Sequence, residues 1–405
     1  MTHLRRQSFY ALPSTHWALL AKPPFSVLDT LAAVDDAIDA NADIAEAIFR
    51  TGVGSFGLAE EQQPDTTEGP TSEATPEATQ NSQHTVKDSS PSAEPIKSKP
   101  AWQDQATSSD VDKARGTLRQ LYRDWSSEGA PERAACYGPV LQALATEFTH
   151  IPDAQKGQIR VLVPGAGLGR LIFELACAGY EAQGNEISYH QLLASSFILN
   201  HTGPGTRFPL YPWALSFSNH TSRADQLQKV LVPDVHPGSA LDESSRGKAT
   251  HAFERLSMSA GDFCVAYKED EHKNGFDAVA TVFFIDTAPN LIAYIETVQS
   301  CLKSGGVWVN LGPLLWHFEN NPPGASRNGE ESAQDKDGLA GAKRGLGIAE
   351  AGSVELSDEE VVRLVERFGF AVERHEQAAP TGYVQNTRSM LINAYRPSFW
   401  IARKK

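Results

Sequence analysis

The sequence predicts an α/β domain of the Rossmann-like kind, with a mostly parallel β-sheet covered by helices on both faces. From residue 159 onward, short hydrophobic segments of strand length alternate with segments of helical periodicity. Parallel strands need long crossover connections, usually helices, so this alternation favours a parallel sheet that is buried on both sides. A glycine-rich turn follows the first strand, and such sheets bind ligands beyond the carboxyl ends of their strands.

Hydrophobic periodicity and turn residues define the individual elements. Residues 111–148 carry apolar residues at helical spacing ahead of the first strand. The predicted strands are 159–163, 180–185, 276–285, 307–311, 370–374 and a last strand region at 390–402, with a further strand that runs into a loop at 257–263. The predicted helices between them are 168–178, 189–200, 291–302 and 359–368.

The chain divides into three parts by composition. Residues 1–59 are predicted to be a helical segment, because apolar residues recur at helical spacing within 24–50. Residues 60–110 are predicted to be a disordered linker, since they are rich in Glu, Ser, Thr and Pro and poor in large apolar residues. Residues 111–405 form the predicted enzyme domain, with a loop insertion at about 321–352.

Charge, hydropathy and cysteine spacing exclude several classes of protein. The net charge of −14 argues against a protein that binds nucleic acid through its phosphates. No segment approaches the roughly 18 apolar residues of a membrane span. The four cysteines form no CxxC pair, so neither a zinc site nor a disulfide framework is indicated. We therefore expect a cytoplasmic protein that can also be nuclear, with no metal, and the sequence leaves a homodimer open.

The glycine-rich turn points to an adenosine-containing cofactor. Gly165, Gly167 and Gly169 alternate in a turn between a strand and a helix. A dinucleotide fingerprint needs a glycine where Arg170 stands, so the turn suits a ligand without a pyrophosphate. Glu186 ends the next strand, 21 residues after Gly165, where a carboxylate can accept both ribose hydroxyls. Binding of NAD and a tight turn without any cofactor are the alternatives.

Asp262 and Phe263 are candidates for holding the adenine. They follow a predicted strand in the segment Ser257–Phe263. An acidic residue followed by an aromatic can accept from the exocyclic amine and pack on the base. The alternative is an Asx-turn followed by a core phenylalanine.

The substrate side is predicted at the ends of two later strands. Asp286 follows a hydrophobic strand in which Val282 can flank the cofactor, and His317 follows the next strand. Tyr383 and Tyr395 stand in the C-terminal region. Each has a structural alternative: Asp286 as the N-cap of the next helix, His317 as a buried structural histidine, and the tyrosines as core residues.

Ten motifs in one order resemble the carnosine N-methyltransferase family, whose members use S-adenosylmethionine. The resemblance covers about residues 111–320 and 353–405. The motifs are RDWSSEG at 123–129, ERAACY at 132–137, VLVPGAGLGRL at 161–171, QGNEIS at 183–188, YPW at 211–213, FSN at 217–219, PDVHP at 233–237, SMSAGDF at 257–263, FFIDTA at 283–288 and NLGPLLWHF at 310–318. The resemblance implies a class I methyltransferase fold with a seven-stranded sheet.

The resemblance also implies roles for individual residues. Those implied to contact S-adenosylmethionine are Gln120, Arg123, Gly165, Glu186, Asp262 and Phe263. Gln120 and Arg123 lie three apart on one helical face, and Arg123 can pair with the methionine carboxylate. Those implied to line the substrate pocket are Asp286, His317, Tyr383 and Tyr395, with Asp286 and His317 as the catalytic pair.

The implied reaction is methyl transfer to an imidazole nitrogen of carnosine, a small-molecule substrate, to give anserine. In that reaction Asp286 accepts a hydrogen bond from the N–H of the other ring nitrogen, which fixes the tautomer and stabilises the imidazolium, as the carboxylate of a catalytic triad does. Two alternatives stay open on the sequence. One places the imidazole in a protein or peptide, and the other is a scaffold that keeps the fold without turnover.

Overall fold

The computed structural model describes residues 2–55, 105–319 and 352–405, and the elements below lie in these ranges. Residues 60–100 of the predicted linker and nearly all of the predicted insertion lie outside the described residues. The helices are α1 (Thr2–Tyr10), α2 (Ser14–Leu20), α3 (Val27–Ser55), α4 (Ser108–Trp125), α5 (Ala130–Glu147), α6 (Arg170–Ala178), α7 (Tyr189–His201), α8 (Arg223–Gln226), α9 (Pro237–Ser245), α10 (Phe263–Ala266), α11 (Leu291–Cys301) and α12 (Asp358–Arg367). The strands are β1 (Arg160–Pro164), β2 (Glu181–Glu186), β3 (Phe208–Leu210), β4 (Val230–Val232), β5 (Leu256–Ala260), β6 (Phe276–Val282), β7 (Leu302–Gly312), β8 (Phe370–Gln377) and β9 (Ser398–Lys404).

Seven of the strands form one sheet in the order β5-β2-β1-β6-β7-β9-β8. The first five strands of this order, β5 to β7, are parallel to one another. Strand β9 is antiparallel to both of its neighbours, β7 and β8. The chain builds outward from β1 to β5 on one side and then returns to add β6 and β7 on the other. The predicted class I methyltransferase fold is confirmed, and its topological switch point lies between β1 and β6.

Both faces of the sheet are buried, which explains the continuous apolar sequence of β1. Val161 and Val163 enter one hydrophobic cluster with Val140 of α5 and Leu171 of α6. Leu162, which points to the opposite face, enters a second cluster that includes residues of α11 and α12. Because successive side chains alternate across a strand, a strand covered on both sides needs apolar residues at every position.

The N-terminal helices are part of the domain's packing. Ile44 and Ile48 of α3 are buried in a third cluster together with Leu168, which lies in the glycine-rich turn. Asn41 of α3 pairs with the backbone of Tyr211: its Nδ2 donates to the carbonyl at 3.0 Å, and its Oδ1 accepts from the amide at 2.8 Å. Helices α1 and α2 lie within the helical segment predicted over residues 1–59, whereas the small antiparallel sheet of β3 and β4 was not predicted.

Helix α4 begins at Ser108, three residues before the start of the helical segment predicted over 111–148. A capping box starts it: Thr107 Oγ1 accepts from the amide of Asp110 at 3.2 Å, and Asp110 Oδ2 accepts from the amide of Thr107 at 2.9 Å. This reciprocal pair satisfies two of the free N–H groups at the helix start. The signal, a threonine followed three residues later by an acidic residue, was readable in the sequence.

Two predicted strands end or begin differently in the structure. The strand predicted over 276–285 ends at Val282, because Phe283 has a φ of 53° and leaves the extended conformation. The strand region predicted at 390–402 begins only at Ser398. Proline at 397 donates no ladder hydrogen bond, and the apolar Ile392 is 76% exposed, outside any sheet.

A buried ionic network joins α4, α5 and α6 near the switch point. The carboxylate of Asp234 receives Arg133 Nη2 and Arg170 Nη1, each at 2.7 Å. Arg133 also donates to the carbonyl of Arg123 at 2.6 Å, and Arg170 donates to the carbonyl of Asp124 at 3.0 Å. One carboxylate therefore holds two arginines, and these hold the C-terminal end of α4.

We expect Asp234→Asn to destabilise the fold by about 3 kcal/mol, because removing one partner of a buried ion pair leaves the other charges uncompensated. Equilibrium unfolding in urea measures this change. Glu359→Gln is the control. Its ion pair with Arg363 lies on the exposed face of α12, where the two side chains are 72% and 71% exposed. Such pairs contribute about 0.5 kcal/mol or less. Equal losses in the two variants would contradict a stabilising role for the network.

Candidate active site

The glycine-rich turn between β1 and α6 brings the backbone close to the end of β6. Gly165 has a φ of 67°, and a Cβ atom there would overlap the ring of Phe284. Gly169 has a φ of 77°, and a Cβ atom there would lie 2.7 Å from Ser195 Oγ. Glycine is therefore required at both positions by conformation and by space. Gly165 is exposed and Ala166 and Gly167 are half-buried, so this part of the turn is accessible at the carboxyl edge of the sheet.

Glu186 ends β2 beside this turn, at the predicted place. Its Oε2 accepts from the amide of Gly167 at 3.0 Å, and its Oε1 accepts from the amides of Ile187 and Ser188 at 2.9 and 2.8 Å. The carboxylate thus fastens the glycine-rich turn to the next strand, a role that sequence reasoning missed. Binding of the ribose hydroxyls by Glu186 stays a prediction.

Gln120 and Arg123, predicted on the cofactor side, meet Tyr383, predicted on the substrate side. Gln120 Nε2 donates to the Tyr383 hydroxyl at 3.3 Å, and the Arg123 guanidinium lies 4.7 Å above the Tyr383 ring. Arg123 is bound by the carboxylate of Asp124 through Nε at 2.8 Å and Nη2 at 3.0 Å. Its Nη1 donates no hydrogen bond to the rest of the described chain, and this group can still reach an anionic ligand.

Asp262 and Phe263 take the form of the alternative that the sequence left open. Asp262 Oδ1 caps α10 by accepting from the amide of Val265 at 3.2 Å. Phe263 is 3% exposed, and its ring packs 5.7 Å from that of Phe284, which in turn covers Gly165. Their contact with adenine stays a prediction. The packing does place them beside the glycine-rich turn.

Asp286 is a buried carboxylate in the 3₁₀ turn Ile285–Thr287, directly beyond β6. It is 3% exposed, and its Oδ2 accepts from the amide of Leu315 at 3.0 Å. Its Oδ1 is buried and has no hydrogen-bond partner within the described ranges. Removal from water raises the pKa of Asp286 to about 6.

The alternative that Asp286 caps the next helix is wrong. Helix α11 is capped by Asn290, whose Oδ1 accepts from the amide of Ile292 at 3.1 Å. An unpaired oxygen in a dry site costs free energy, so its presence at the carboxyl edge of the switch-point strand marks a place for a hydrogen-bond donor. This is the feature expected of a site that receives a ligand carrying an N–H group.

His317 lies beside Asp286, as predicted. Its amide donates to the Asp286 carbonyl at 3.2 Å, which ties the segment after β7 to the turn after β6. Its side chain is exposed, and its role in the site stays a prediction. Val282, the last residue of β6, is half-buried and pairs with Leu311 of β7.

Tyr383 and Tyr395 come together around Phe283, which sequence reasoning did not single out. Their ring centroids lie 5.2 and 5.9 Å from that of Phe283. The φ of 53° at Phe283 turns the chain immediately after β6, and the sequence shows no glycine or asparagine there to announce it. Tyr383 is 39% exposed, so it is a surface residue of the site and not a core residue.

The described ranges contain neither a metal-binding cluster nor a membrane-spanning helix. No group of three or more His, Cys, Asp and Glu side chains there is arranged to hold a metal ion. No helix in the same ranges is long and apolar enough to cross a membrane.

The raised pKa of Asp286 predicts a pH-dependent difference in stability between the wild type and Asp286→Asn. The folded state holds this proton up to about pH 6, while an unfolded aspartate loses it near pH 4. The free energy of unfolding of the wild type therefore falls, through this group, as pH rises between these values. We expect Asp286→Asn to escape this loss. The free energy of unfolding of the variant minus that of the wild type should therefore be about 2 kcal/mol larger at pH 8 than at pH 4.

Urea unfolding of both proteins at pH 4 and pH 8 measures this difference, and all other groups titrate alike in the two. A difference in stability that does not change with pH would show that the Asp286 carboxylate is not desolvated as described.

Comparison with known proteins places this arrangement in a family. The sequence model described as carnosine N-methyltransferase matches residues 100–405. The chain is 39% identical over 293 residues to the carnosine N-methyltransferase of Schizosaccharomyces pombe, an alignment that covers 72% of this chain and 71% of that protein. It is 38% identical over 299 residues to the carnosine N-methyltransferase of Mus musculus, covering 74% of this chain and 64% of that protein.

The similarity to a solved structure is much weaker. The magnesium protoporphyrin IX methyltransferase of Synechocystis aligns with 74% of this chain and 95% of its own, at 12% identity and a TM-score of 0.36. So distant a likeness says nothing about substrate. The family match, by contrast, runs without a break from before α4 to the last residue, and the chain therefore belongs to the carnosine N-methyltransferase family.

Proposed function

We propose that this protein transfers a methyl group from S-adenosylmethionine to an imidazole nitrogen of carnosine, β-alanyl-histidine, to give anserine. The observation that carries the proposal is the unpaired, buried Oδ1 of Asp286, placed at the carboxyl edge of the strand next to the glycine-rich turn. An imidazole ring supplies the N–H donor that this oxygen lacks. The relatives named for carnosine methylation support the choice of substrate.

The family and the fold imply S-adenosylmethionine as the cofactor, and the residues at the site fit it. Gly165 is exposed and Ala166 and Gly167 are half-buried, so a cofactor could lie over this part of the turn. Glu186 stands at the end of the neighbouring strand, where it would hold the ribose, and Arg123 Nη1 would hold the methionine carboxylate. When bound, the cofactor supplies an electrophilic methyl group on a sulfonium.

Asp286 selects the reactive form of the imidazole. A neutral ring has one N–H and one nitrogen with a lone pair, and only the second can attack a methyl group. By accepting the N–H, Asp286 Oδ1 fixes the tautomer and leaves the lone pair of the other nitrogen directed toward the cofactor side. Alignment of this kind is the protein's main contribution to an in-line displacement.

The desolvated carboxylate also favours the transition state over the bound substrate. Its raised pKa reports a negative charge without a compensating partner. Methylation makes the ring an imidazolium, so positive charge develops next to this carboxylate as the new bond forms. The attraction is larger in the transition state than with the neutral ring, which is the condition for an effect on kcat.

The aromatic residues around Phe283 form a wall beside Asp286. Tyr383 and Tyr395 both pack on this ring, and Tyr383 is hydrogen-bonded to Gln120. Apolar ring faces with hydroxyl groups at their edges suit a dipeptide that combines an imidazole with polar ends. The backbone of His317 binds the Asp286 carbonyl, which would place this residue near the polar part of the substrate.

The test of the proposal is incubation with cofactor labelled in its methyl group, together with carnosine, and mass-spectrometric identification of the product. We expect label in anserine. A parallel incubation with protein extract separates the other readings: label in protein alone would favour a protein or peptide histidine as substrate. Absence of label in both, with cofactor bound, would indicate a scaffold without turnover.

The ribose assignment predicts that Glu186→Gln weakens binding of S-adenosylmethionine by about 1.5–3 kcal/mol, the range of hydrogen bonds to a charged group. The amide keeps one oxygen for the backbone of the glycine-rich turn, so the fold should persist. Calorimetric titration measures the affinity, and the melting temperature of the variant checks the fold. Unchanged affinity in a folded variant would remove Glu186 from the cofactor site.

Replacement of Asp286 by asparagine should lower turnover of carnosine by about a hundredfold or more, by analogy with the carboxylate of a catalytic triad. The amide keeps the size of the side chain and removes its charge, and its NH₂ group favours the wrong tautomer. Affinity for S-adenosylmethionine should stay close to that of the wild type.

A steady-state assay across pH completes this test, with kcat/KM of the wild type falling below about pH 6 as Asp286 becomes protonated. Near-normal turnover by Asp286→Asn would take Asp286 out of the active site.

A further inference from the structure

The loop between β8 and β9, residues 378–397, carries Tyr383 to the site on a strained turn. Val384, the residue after Tyr383, has a φ of 54°. A β-branched residue is strongly disfavoured in this left-handed region. Such a conformation persists only where the surroundings hold it in place. The question is which contact holds this turn.

The carboxylate of Glu132 binds two successive backbone amides of the turn. Its Oε1 accepts from the amide of Val384 at 2.7 Å, and its Oε2 accepts from the amide of Gln385 at 3.1 Å. Two successive N–H groups that converge on one anion form a compact and specific contact. Glu132 lies in the first turn of α5, and 252 residues separate it from Val384, so this contact is purely tertiary.

Glu132 has no competing role at the start of its own helix. The N-cap of α5 is Gly129, and its amide donates to Ser126 Oγ at 3.1 Å and not to Glu132. The next residue of α5, Arg133, donates to the carbonyl of Arg123 at 2.6 Å. The first turn of α5 therefore binds two segments: the end of α4, which carries Arg123, and the loop that carries Tyr383.

The contact determines where the Tyr383 ring lies. That ring stacks on Arg123 at 4.7 Å, packs against Phe283 at 5.2 Å and receives a hydrogen bond from Gln120 at 3.3 Å. The loop has other contacts: Thr381 pairs with Tyr395 through the backbone, and the amide of Met390 donates to the carbonyl of Asn219. At the turn itself, the side chain of Gln385 donates to the Leu391 carbonyl at 3.0 Å and accepts from the Asn393 amide at 3.1 Å, and Val384 packs against the third hydrophobic cluster. These side-chain contacts leave the backbone amides of Val384 and Gln385 to Glu132.

We propose that Glu132 is a positioning residue for substrate binding: by clamping the amides of Val384 and Gln385 it fixes Tyr383 in the aromatic wall around Phe283. The proposal rests on the proposed function for its kinetic part. Its structural part, the hold of Glu132 on the turn, is measurable without any turnover.

Hydrogen exchange tests the clamp directly, with Glu132→Ala, Glu132→Gln and the control Glu147→Ala. Glu147 lies on the same helix and also uses both oxygens, at 2.8 and 2.9 Å from Arg403. We expect amide exchange in residues 382–386 to accelerate by about tenfold or more in Glu132→Ala, since two hydrogen bonds to a charged group are lost. Glu132→Gln should show a smaller increase and Glu147→Ala none in this segment.

Kinetics test the consequence for the substrate. We expect Glu132→Ala to raise KM for carnosine about tenfold, with kcat changed by less than about threefold, because a misplaced wall weakens binding more than chemistry. Glu132 is proposed to act through Tyr383, so the double variant Glu132→Ala/Tyr383→Ala should have the KM of Tyr383→Ala alone. A residue that merely stabilises the fold would add its effect to that of Tyr383→Ala.

Three results would overturn the proposal. They are unchanged exchange at 382–386 in Glu132→Ala, an unchanged KM in that variant, and a double variant whose KM rises by the product of the two single effects. Failure of the proposed function has a different signature: the wild type would leave carnosine unmethylated, and exchange at 382–386 would then decide alone whether Glu132 holds the turn.

Discussion

The contact between the glycine-rich turn and Phe284 is the constraint on which the site depends. Gly165 cannot carry a side chain, because the ring at the end of β6 occupies that space. The same ring packs on Phe263, the first residue of α10, and on Tyr294 of α11. The close packing therefore sets the distance between the turn that would hold a cofactor and the 3₁₀ turn after β6 that carries Asp286. A larger residue at 165 would separate the two halves of the site.

Charge around this contact is distributed in two contrasting ways. On the cofactor side, Arg123 is neutralised by Asp124, and Asp234 joins Arg133 to Arg170, so that buried charges there are paired. Pairing of this kind holds the backbone of α4 and α6 in place at little net electrostatic cost. On the substrate side, one carboxylate oxygen of Asp286 is left without a partner. A buried oxygen without a hydrogen bond lowers the stability of the fold, and a ligand that donated to it would recover this free energy on binding.

Backbone strain is concentrated on the same side. Phe283 and Val384 are non-glycine residues with positive φ, and between them they place the aromatic rings of the site. Each is held by a contact from another element: the amide of Phe283 donates to the carbonyl of Leu311 at 2.9 Å, and Glu132 holds Val384. Strain at such positions is common where a fold sacrifices local stability for the arrangement of a site. The sheet and its two buried clusters supply the stability that tolerates it.

The sequence by itself determined the sheet-forming strands, the glycine-rich turn and the places of Glu186 and Asp286, because these follow from local periodicity and from the geometry of parallel strands. It also contained enough long motifs to reveal the family. Only the tertiary structure decided that Asn290 and not Asp286 caps α11, that Asp124 already neutralises Arg123, and that Phe283 stands between Tyr383 and Tyr395. It alone decided that Glu132 reaches Val384. The physical reason is that these facts concern contacts between residues far apart in the chain or backbone angles enforced by such contacts, and a local pattern of residue types records neither.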